Sequence, residues 1–309
     1  MPWTNITDYQ SPGGWSAANP GERARAYCEE LERGGILYFP RVPFEFPQDE
    51  IEFLLSQKQS EFKGHKNVSY RPTTDYLRGD DSESPAARER LQKIMRDYSR
   101  RVTDFLGKFL SPYAGKWKLD FASYRPVEEQ NRDLPLHKRN DLMHVDAFPS
   151  RPTRGGRILR VFTNINPSRN RVWEVSDPFE VIAPKFAETA GLRQLTAQTP
   201  GRMFVRTFSP IFKAIGVKGT DRSAYDRFML RFHDYLKENN EFQEKYPKEH
   251  VEFPPGSTWM VYTDTVPHSV LSGQYALEQT FIIPVDAMVA PKHAPIRVLE
   301  GMVGRALAS

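Results

Sequence analysis

The segment Leu142-Met-His144-Val-Asp146 sets an imidazole two residues from a carboxylate. On a β-strand alternate side chains share a face, so His144 and Asp146 can both point into one interior. Together they supply half of a site for a divalent metal. A second histidine from a distant strand would complete a set of two histidines and one carboxylate, which leaves coordination positions open and is typical of non-haem Fe(II) oxygenases. A His-x-Asp pair is common by chance. What strengthens this one is the order around His268: Phe253-Pro-Pro-Gly256 reads as a turn, Thr258–Tyr262 as a strand and Pro267-His268 as the end of a short loop before an apolar strand. That order puts His268 at a strand start facing the same interior. His144, Asp146 and His268 are therefore the expected metal ligands and catalytic centre. The same donor set also serves catalytic zinc; the β-rich setting, not the ligands, favours iron.

An oxygenase using 2-oxoglutarate needs a cation for the far carboxylate of that cosubstrate, and the planar fork of arginine suits it. Many such enzymes carry this arginine on the strand after the second histidine, but Ser269–Pro284 contains no Arg or Lys. Either the cation comes from elsewhere or the cosubstrate differs. Arg160 lies on the strand after the motif, with Phe162 and Asn164 on its face, and Arg125 lies on the strand before it, in Ser123-Tyr-Arg125-Pro126. An arginine among Ile158, Leu159, Val161 and Phe162 requires an anionic partner if buried. Arg157 takes this role if the register slips by one residue. Trp173 is a candidate wall of the cosubstrate pocket.

Between Ala147 and Trp173 stand Arg151, Arg154, Arg157, Arg160, Arg169 and Arg171, with no Asp or Glu among them. Such a run is either a solvated basic loop or a field that attracts an anionic ligand. Of the other histidines, His137 could gate the site, and His233 beside Asp234 reads as a helix-surface pair. His65, His250 and His293 have no evident partners.

These residues need a scaffold. Asn19-Pro20 opens a helix that stops at Gly34-Gly35. Ile36–Phe39 reads as a short strand, and residues 48–62 as a second helix. After Ser84-Pro85, apolar residues from Leu91 to Leu106 recur every three or four positions and predict a core-facing helix. From Asp120 the period changes. Phe121–Arg125, Leu142–Phe148, Ile158–Ile165 and Val172–Val175 read as strands, and so do Thr258–Tyr262, His268–Leu271 and Leu277–Val285. An amphipathic helix is expected near Asp221–Glu244 and a short one at Pro295–Leu307. The expected fold is α+β with a mainly β core: a double-stranded β-helix, or cupin-like jelly roll, with packed N-terminal helices and a helical insert before the last strands. The division is one oxygenase domain over 1–309, made of a helical extension (1–118), a jelly-roll core (119–285, insert 208–250) and a tail (286–309).

With 39% hydrophobic and 27% charged residues, the chain has the composition of an ordinary globular protein. Its net charge of +4 comes without aromatics interleaved on a nucleic-acid module, so nucleic acid is not an expected partner. The lone cysteine, Cys28, excludes an intramolecular disulfide and suits a reducing compartment. Residues 1–10 lack the basic-then-apolar pattern of a signal peptide.

Several stretches resemble one family, the Kdo 3-hydroxylases of lipopolysaccharide biosynthesis. They are His65–Tyr70, Ser123–Pro126, Asp141–Pro152, Arg157–Pro167 and Gly256–Gln274, and the block from Asp141 to Pro167 is long and unusual. The resemblance implies hydroxylation of carbon 3 of a Kdo sugar on a lipid A precursor, with Fe(II), O2 and 2-oxoglutarate, releasing succinate and CO2. It carries the metal onto His144, Asp146 and His268, and the cosubstrate onto Arg125 and Arg160. It makes the absence of an arginine after His268 a family trait. An anionic Kdo-containing glycolipid would find Arg151 and Arg154 on the arginine-rich edge, with Lys66, Asn67 and Arg71 as further substrate-side candidates. The expected location is cytoplasmic, or peripheral at the inner membrane, with homo-oligomerisation left open. The alternatives are a related oxygenase acting on a protein side chain and a non-catalytic cupin-like metal-binding module.

Overall fold

The computed structural model describes residues 3–10, 13–57, 67–130, 134–197 and 222–308. The chain opens with β1 (Trp3–Asn5), the hairpin β2 (Tyr9–Gln10) and β3 (Gly14–Trp15), α1 (Pro20–Glu32), β4 (Ile36–Phe39) and α2 (Gln48–Ser56). It continues through β5 (Val68–Arg71), β6 (Tyr76–Arg78), α3 (Pro85–Phe109) and β7 (Lys118–Arg125). After the metal motif come β8 (Arg157–Asn164), β9 (Arg171–Val175), α4 (Phe179–Phe186) and α5 (Leu192–Thr196). Then follow α6 (Ala224–Glu238), α7 (Asn240–Lys245), β10 (Glu249–Phe253), β11 (Thr258–Tyr262), β12 (His268–Ser272), β13 (Ala276–Ile283) and α8 (Pro295–Val303).

The strands form a large sheet in the order β1-β4-β11-β8-β13-β7-β5-β6, faced by a small sheet β10-β9-β12. Between the two, Phe162, Trp173, Phe253, Trp259, Val261 and Val270 pack into one apolar cluster. The other face of the large sheet carries the helices. In α3 the Ser84 hydroxyl accepts from Ala87 N and Pro85 takes the first turn, where a missing N–H costs nothing. Leu91, Ile94, Met95, Tyr98, Val102, Phe105, Leu106 and Phe109 are all buried along one side. Each of the larger of these side chains contributes roughly 1.5–3 kcal/mol of transfer free energy, which fixes the helix against the sheet that bears the site.

The strands expected from Asp120 onward lie within three residues of their expected bounds, β10 was not anticipated, and there is one instructive exception. Leu142–Phe148 is not a strand. It makes a single bridge, His144 with His268. Several of its other backbone groups are satisfied by side chains: Gln243 accepts from Met143 N at 2.9 Å and donates to Met143 O at 2.8 Å, and His233 Nδ1 lies 2.7 Å from Val145 O. Helices α6 and α7 thus substitute for a neighbouring strand. The region before residue 118, expected as a helical extension, also supplies β1, β4, β5 and β6 to the large sheet. Of the expected insert, residues 208–221 lie outside the described residues, and its end already belongs to β10. The second helix ends at Ser56, and residues 58–62 of its expected span are also outside the described set. Helices α4 and α5 were not anticipated.

Candidate metal centre

His144 and His268 are paired through their own backbones: His144 N donates to His268 O at 3.1 Å and His268 N to His144 O at 2.9 Å. The two rings therefore stand side by side, their centroids 4.8 Å apart. Two residues on, Asp146 N donates to Thr263 O, which turns its carboxylate toward the same point. His144 Nε2 and Asp146 Oδ1 are 3.8 Å apart, and one donor atom from each of the three residues lies within 4.8 Å of the others. The Nδ1 atoms of both histidines face carbonyls, Leu142 O at 2.7 Å and Val266 O at 2.9 Å. A ring whose Nδ1–H is so bound keeps a lone pair on Nε2, the tautomer a metal requires.

Burial drives the His144 and His268 pKa values down, aided at His144 by the charge of Lys237. Burial alone would raise the carboxyl of Asp146, but Arg160 and the lesser contributions of its other neighbours together outweigh it and hold the group at about 2. Two neutral imidazoles and an ionised carboxylate are the donor states that a divalent cation binds. Asp146 Oδ2, buried and 3.1 Å from Arg160 Nη1, is misaligned for a hydrogen bond and lacks one. The donor set fits Fe(II) with open positions.

The triad lines a cavity of about 700 Å³ shared with Arg125, Arg160, Phe148, Phe162, Trp173 and Asn67. Arg125 at the end of β7 bonds Glu278 of β13 through Nη2 at 2.5 Å, and Glu129 stands 3.8 Å from its Nη1. Its buried Nε has no partner. An unsatisfied buried guanidinium N–H is costly, and beside a cavity it marks a place for an anion. Arg160 lies between Asp146, 3.1 Å away, and Glu278, 3.2 Å away, and its buried Nε likewise makes no hydrogen bond. Trp173 stacks on His268 with centroids 5.2 Å apart and planes at 22°, so it props a ring of the triad as well as walling the cavity.

Comparison with known proteins decides the family. A model described as 3-deoxy-D-manno-oct-2-ulosonic acid (Kdo) hydroxylase matches residues 14–306. The chain belongs to the Kdo hydroxylase family. Solved structures of the Kdo hydroxylase KdoO, a non-haem Fe(II) α-ketoglutarate-dependent dioxygenase, are similar to it throughout. The complex with α-ketoglutarate and Fe(III) is 34% identical with a TM-score of 0.82, covering 99% of this chain and 97% of that one. The cobalt(II) complex is 35% identical with a TM-score of 0.83, covering 100% and 98%. A third, with succinate and Fe(III), is 34% identical at a TM-score of 0.81, covering 100% and 98%. No curated protein sequence matches the chain.

Within this family member the remaining expected residues divide. Asn67 reaches the cavity, whereas Lys66 lies outside the described residues. Arg71 stacks on Phe121 with 5.0 Å from guanidinium carbon to ring centroid. Arg151 sits between Phe121 and Phe148, at 4.0 and 4.2 Å, and pairs with Asp120 at 2.5 Å. These two are near the cavity without being among the residues that line it. Arg154 is elsewhere, in a separate cleft with Lys116, Lys118 and Arg297. The turn Thr153–Gly155, anchored by Asp226, carries it away from the site. Arg157, the alternative cosubstrate arginine, is fully buried against Asp264 and Thr265. His137 does face the cavity, paired with Asp234 at 2.9 Å and Glu238 at 3.3 Å.

The reading of His233 as a surface residue is corrected. Its ring lies edge-on to His144 at 4.8 Å and lines the cavity, with Lys237 one helical turn on. Burial first, then Lys237, lowers its pKa to about 4. The signal was in the sequence: Met229, His233 and Leu236 are spaced four and three apart and continue the apolar face of α6.

The buried groups set an acid limit on stability. The histidines ordinarily take a proton near pH 6.5, whereas His233 in the fold resists it until about 4. Asp146 and Glu278, ordinarily 3.8 and 4.5, are each held at about 2. All these folded-state pKa values are depressed, so the unfolded chain binds protons that the native one refuses. The metal-free thermal midpoint should be level near pH 7, fall from about pH 6.5 toward 4 through the histidines, and continue down through the carboxylates. Circular dichroism melts across this range check it; a midpoint that rises between pH 6.5 and 4 rejects it.

Proposed function

We propose that this chain is an Fe(II)- and 2-oxoglutarate-dependent dioxygenase that hydroxylates carbon 3 of a Kdo sugar on a lipid A precursor, releasing succinate and CO2. One observation carries the reading: His144, Asp146 and His268 converge beside Arg125 and Arg160 on a single cavity, in a member of the Kdo hydroxylase family. The metal, when bound, supplies the activation of O2 and the oxidising power that side chains lack. Everything else falls to the protein. His144, Asp146 and His268 hold the ion. Arg125, with Arg160, takes the far carboxylate of 2-oxoglutarate, and Trp173 holds the His268 ring. Phe148 and Phe162 give the cavity apolar walls that limit water.

The cavity lining also carries two lysines: Lys237 on α6, next to His233, and Lys138 on the 134–140 loop, next to His137. A sugar acid would place its carboxylate there, leaving the ring near the metal. A phosphate of the lipid would lie outward, toward Arg71 and Arg151. The choice of carbon 3 and of a lipid A acceptor rests on the resemblance carried by the Asp141–Pro167 block. We propose a cytoplasmic location, or a peripheral one at the inner membrane, where a lipid-borne acceptor would be met. No helix among the described residues is long and apolar enough to cross a membrane. Helix α8 buries Ile296 and Leu299 in the protein's own core.

The direct test is succinate formation with Fe(II) and 2-oxoglutarate, with and without a Kdo-bearing lipid A precursor. Formation stimulated only by that acceptor is expected; stimulation by peptides instead would move the enzyme to a protein side chain. Lys237→Gln should raise the KM for the sugar acceptor about tenfold, the worth of one charge-assisted hydrogen bond, and leave the KM for 2-oxoglutarate in place. Steady-state kinetics in each substrate separates the two.

A further inference from the structure

The strand after the second histidine carries, in place of a cation, a buried carboxylate. Glu278 is 3% exposed and stands on β13 between β7 and β8, opposite Ser123 and Phe162. Each of its oxygens has two partners. Oε2 accepts from Arg125 Nη2 at 2.5 Å and Ser123 Oγ at 3.0 Å. Oε1 accepts from Thr280 Oγ1 at 2.6 Å and lies 3.2 Å from Arg160 Nε. Ser123 comes from β7, which pairs with the Glu278 backbone, and Thr280 lies two residues further along β13 itself, so the carboxylate has little freedom. Both arginines pivot on it.

We propose that Glu278 is a positioning residue: it aims the Arg125 and Arg160 guanidiniums at the far carboxylate of the keto acid and thereby sets the preference for a dicarboxylate. This rests on the cosubstrate reading above. A long arginine side chain pays rotamer entropy to hold one geometry. A buried brace pays that cost in advance, which is how preorganisation raises affinity. The brace also explains how the fold does without an arginine on β13: the cations come from the strands on either side, and the strand between them supplies the anion that keeps them parallel and apart. It further keeps two like charges tolerable next to each other before any ligand arrives.

The experiment uses full-length protein loaded with Co(II), titrated calorimetrically with 2-oxoglutarate and with 2-oxobutyrate, which shares the keto acid end but lacks the far carboxylate. In Glu278→Gln the Kd for 2-oxoglutarate is expected to rise about tenfold or more, the scale of one charge-assisted contact. The Kd for 2-oxobutyrate and the Co(II) absorption spectrum should stay as in wild type. Glu278→Asp, which keeps the charge, should recover part of the loss. In turnover the change should appear in the KM for 2-oxoglutarate more than in kcat. Equal binding of 2-oxoglutarate by wild type and Glu278→Gln overturns the proposal, as does a parallel loss for both keto acids or of the Co(II) spectrum, which would mark general damage to the fold. Wild-type protein that fails to bind 2-oxoglutarate at all overturns the cosubstrate reading itself and this inference with it.

Discussion

Alanine in place of His144 or Asp146 is expected to abolish acceptor-dependent succinate release. Loss of a group that merely orients a metal ligand costs roughly 10–100-fold in affinity or activity, so loss of a ligand should exceed about a hundredfold. The two variants should differ in a way that reports the local charges. His144→Ala removes a neutral donor. Asp146→Ala also removes the anion facing Arg160 Nη1, leaving a cation beside the ion's place, so its Co(II) affinity should fall further. Equilibrium dialysis of Co(II) and a succinate assay check both statements. Wild-type turnover in either variant would refute the metal assignment.

The largest effect on stability is expected away from the metal. Arg157 is wholly buried, its guanidinium 4.0 Å over the Tyr262 ring and 3.4 Å from the Asp264 carboxylate. Burial pushes the Asp264 carboxyl above its ordinary range even with this partner present. Arg157→Ala should cost about 3–5 kcal/mol, the usual consequence of leaving one member of a buried pair uncompensated. Replacing both members, Arg157→Met with Asp264→Leu, should restore most of it, because well-packed apolar side chains often match a buried ion pair. Urea unfolding measures both. A single variant within about 1 kcal/mol of wild type would contradict the account, since ordinary surface substitutions fall below that.

The triad was legible because it obeys a local rule and a global one together. The i, i+2 spacing at His144 and Asp146 set two donors on one side, and the turn-strand-turn order before His268 set the third. The jelly-roll core was legible from short runs rich in β-branched and aromatic residues, such as Ile158–Ile165 and Leu277–Val285, set apart by Pro, Gly and Asn. What stayed hidden depends on side chains standing in for backbone. Gln243 closes both hydrogen-bonding groups of Met143 from a helix a hundred residues away, and no periodicity announces that. Leu142–Phe148 has strand composition, yet Pro149 and the arginine-rich turn after it leave no length for a ladder. Arg157 and Arg160 illustrate the limit differently. Three residues apart on one strand, they face opposite sides, so one became a buried structural cation and the other reached the cavity. Only the register against β11 and β13 distinguishes them. Glu278 has no signal of its own in the sequence, because its role comes from Arg125 and Arg160 on the two flanking strands, which only the sheet order brings to it.

The reciprocal backbone bonds between His144 and His268 join two stretches that are remote in the chain, and single bonds from Val270 N to Asn140 O and from Asp146 N to Thr263 O flank them, with no continuous ladder. An ion held by both rings therefore acts as a removable clasp across a long loop, whose closure the polypeptide must otherwise meet from its own entropy. Chelation should open the molecule first at this seam, exposing the 142–148 segment to protease while the sheet behind α3 stays shut.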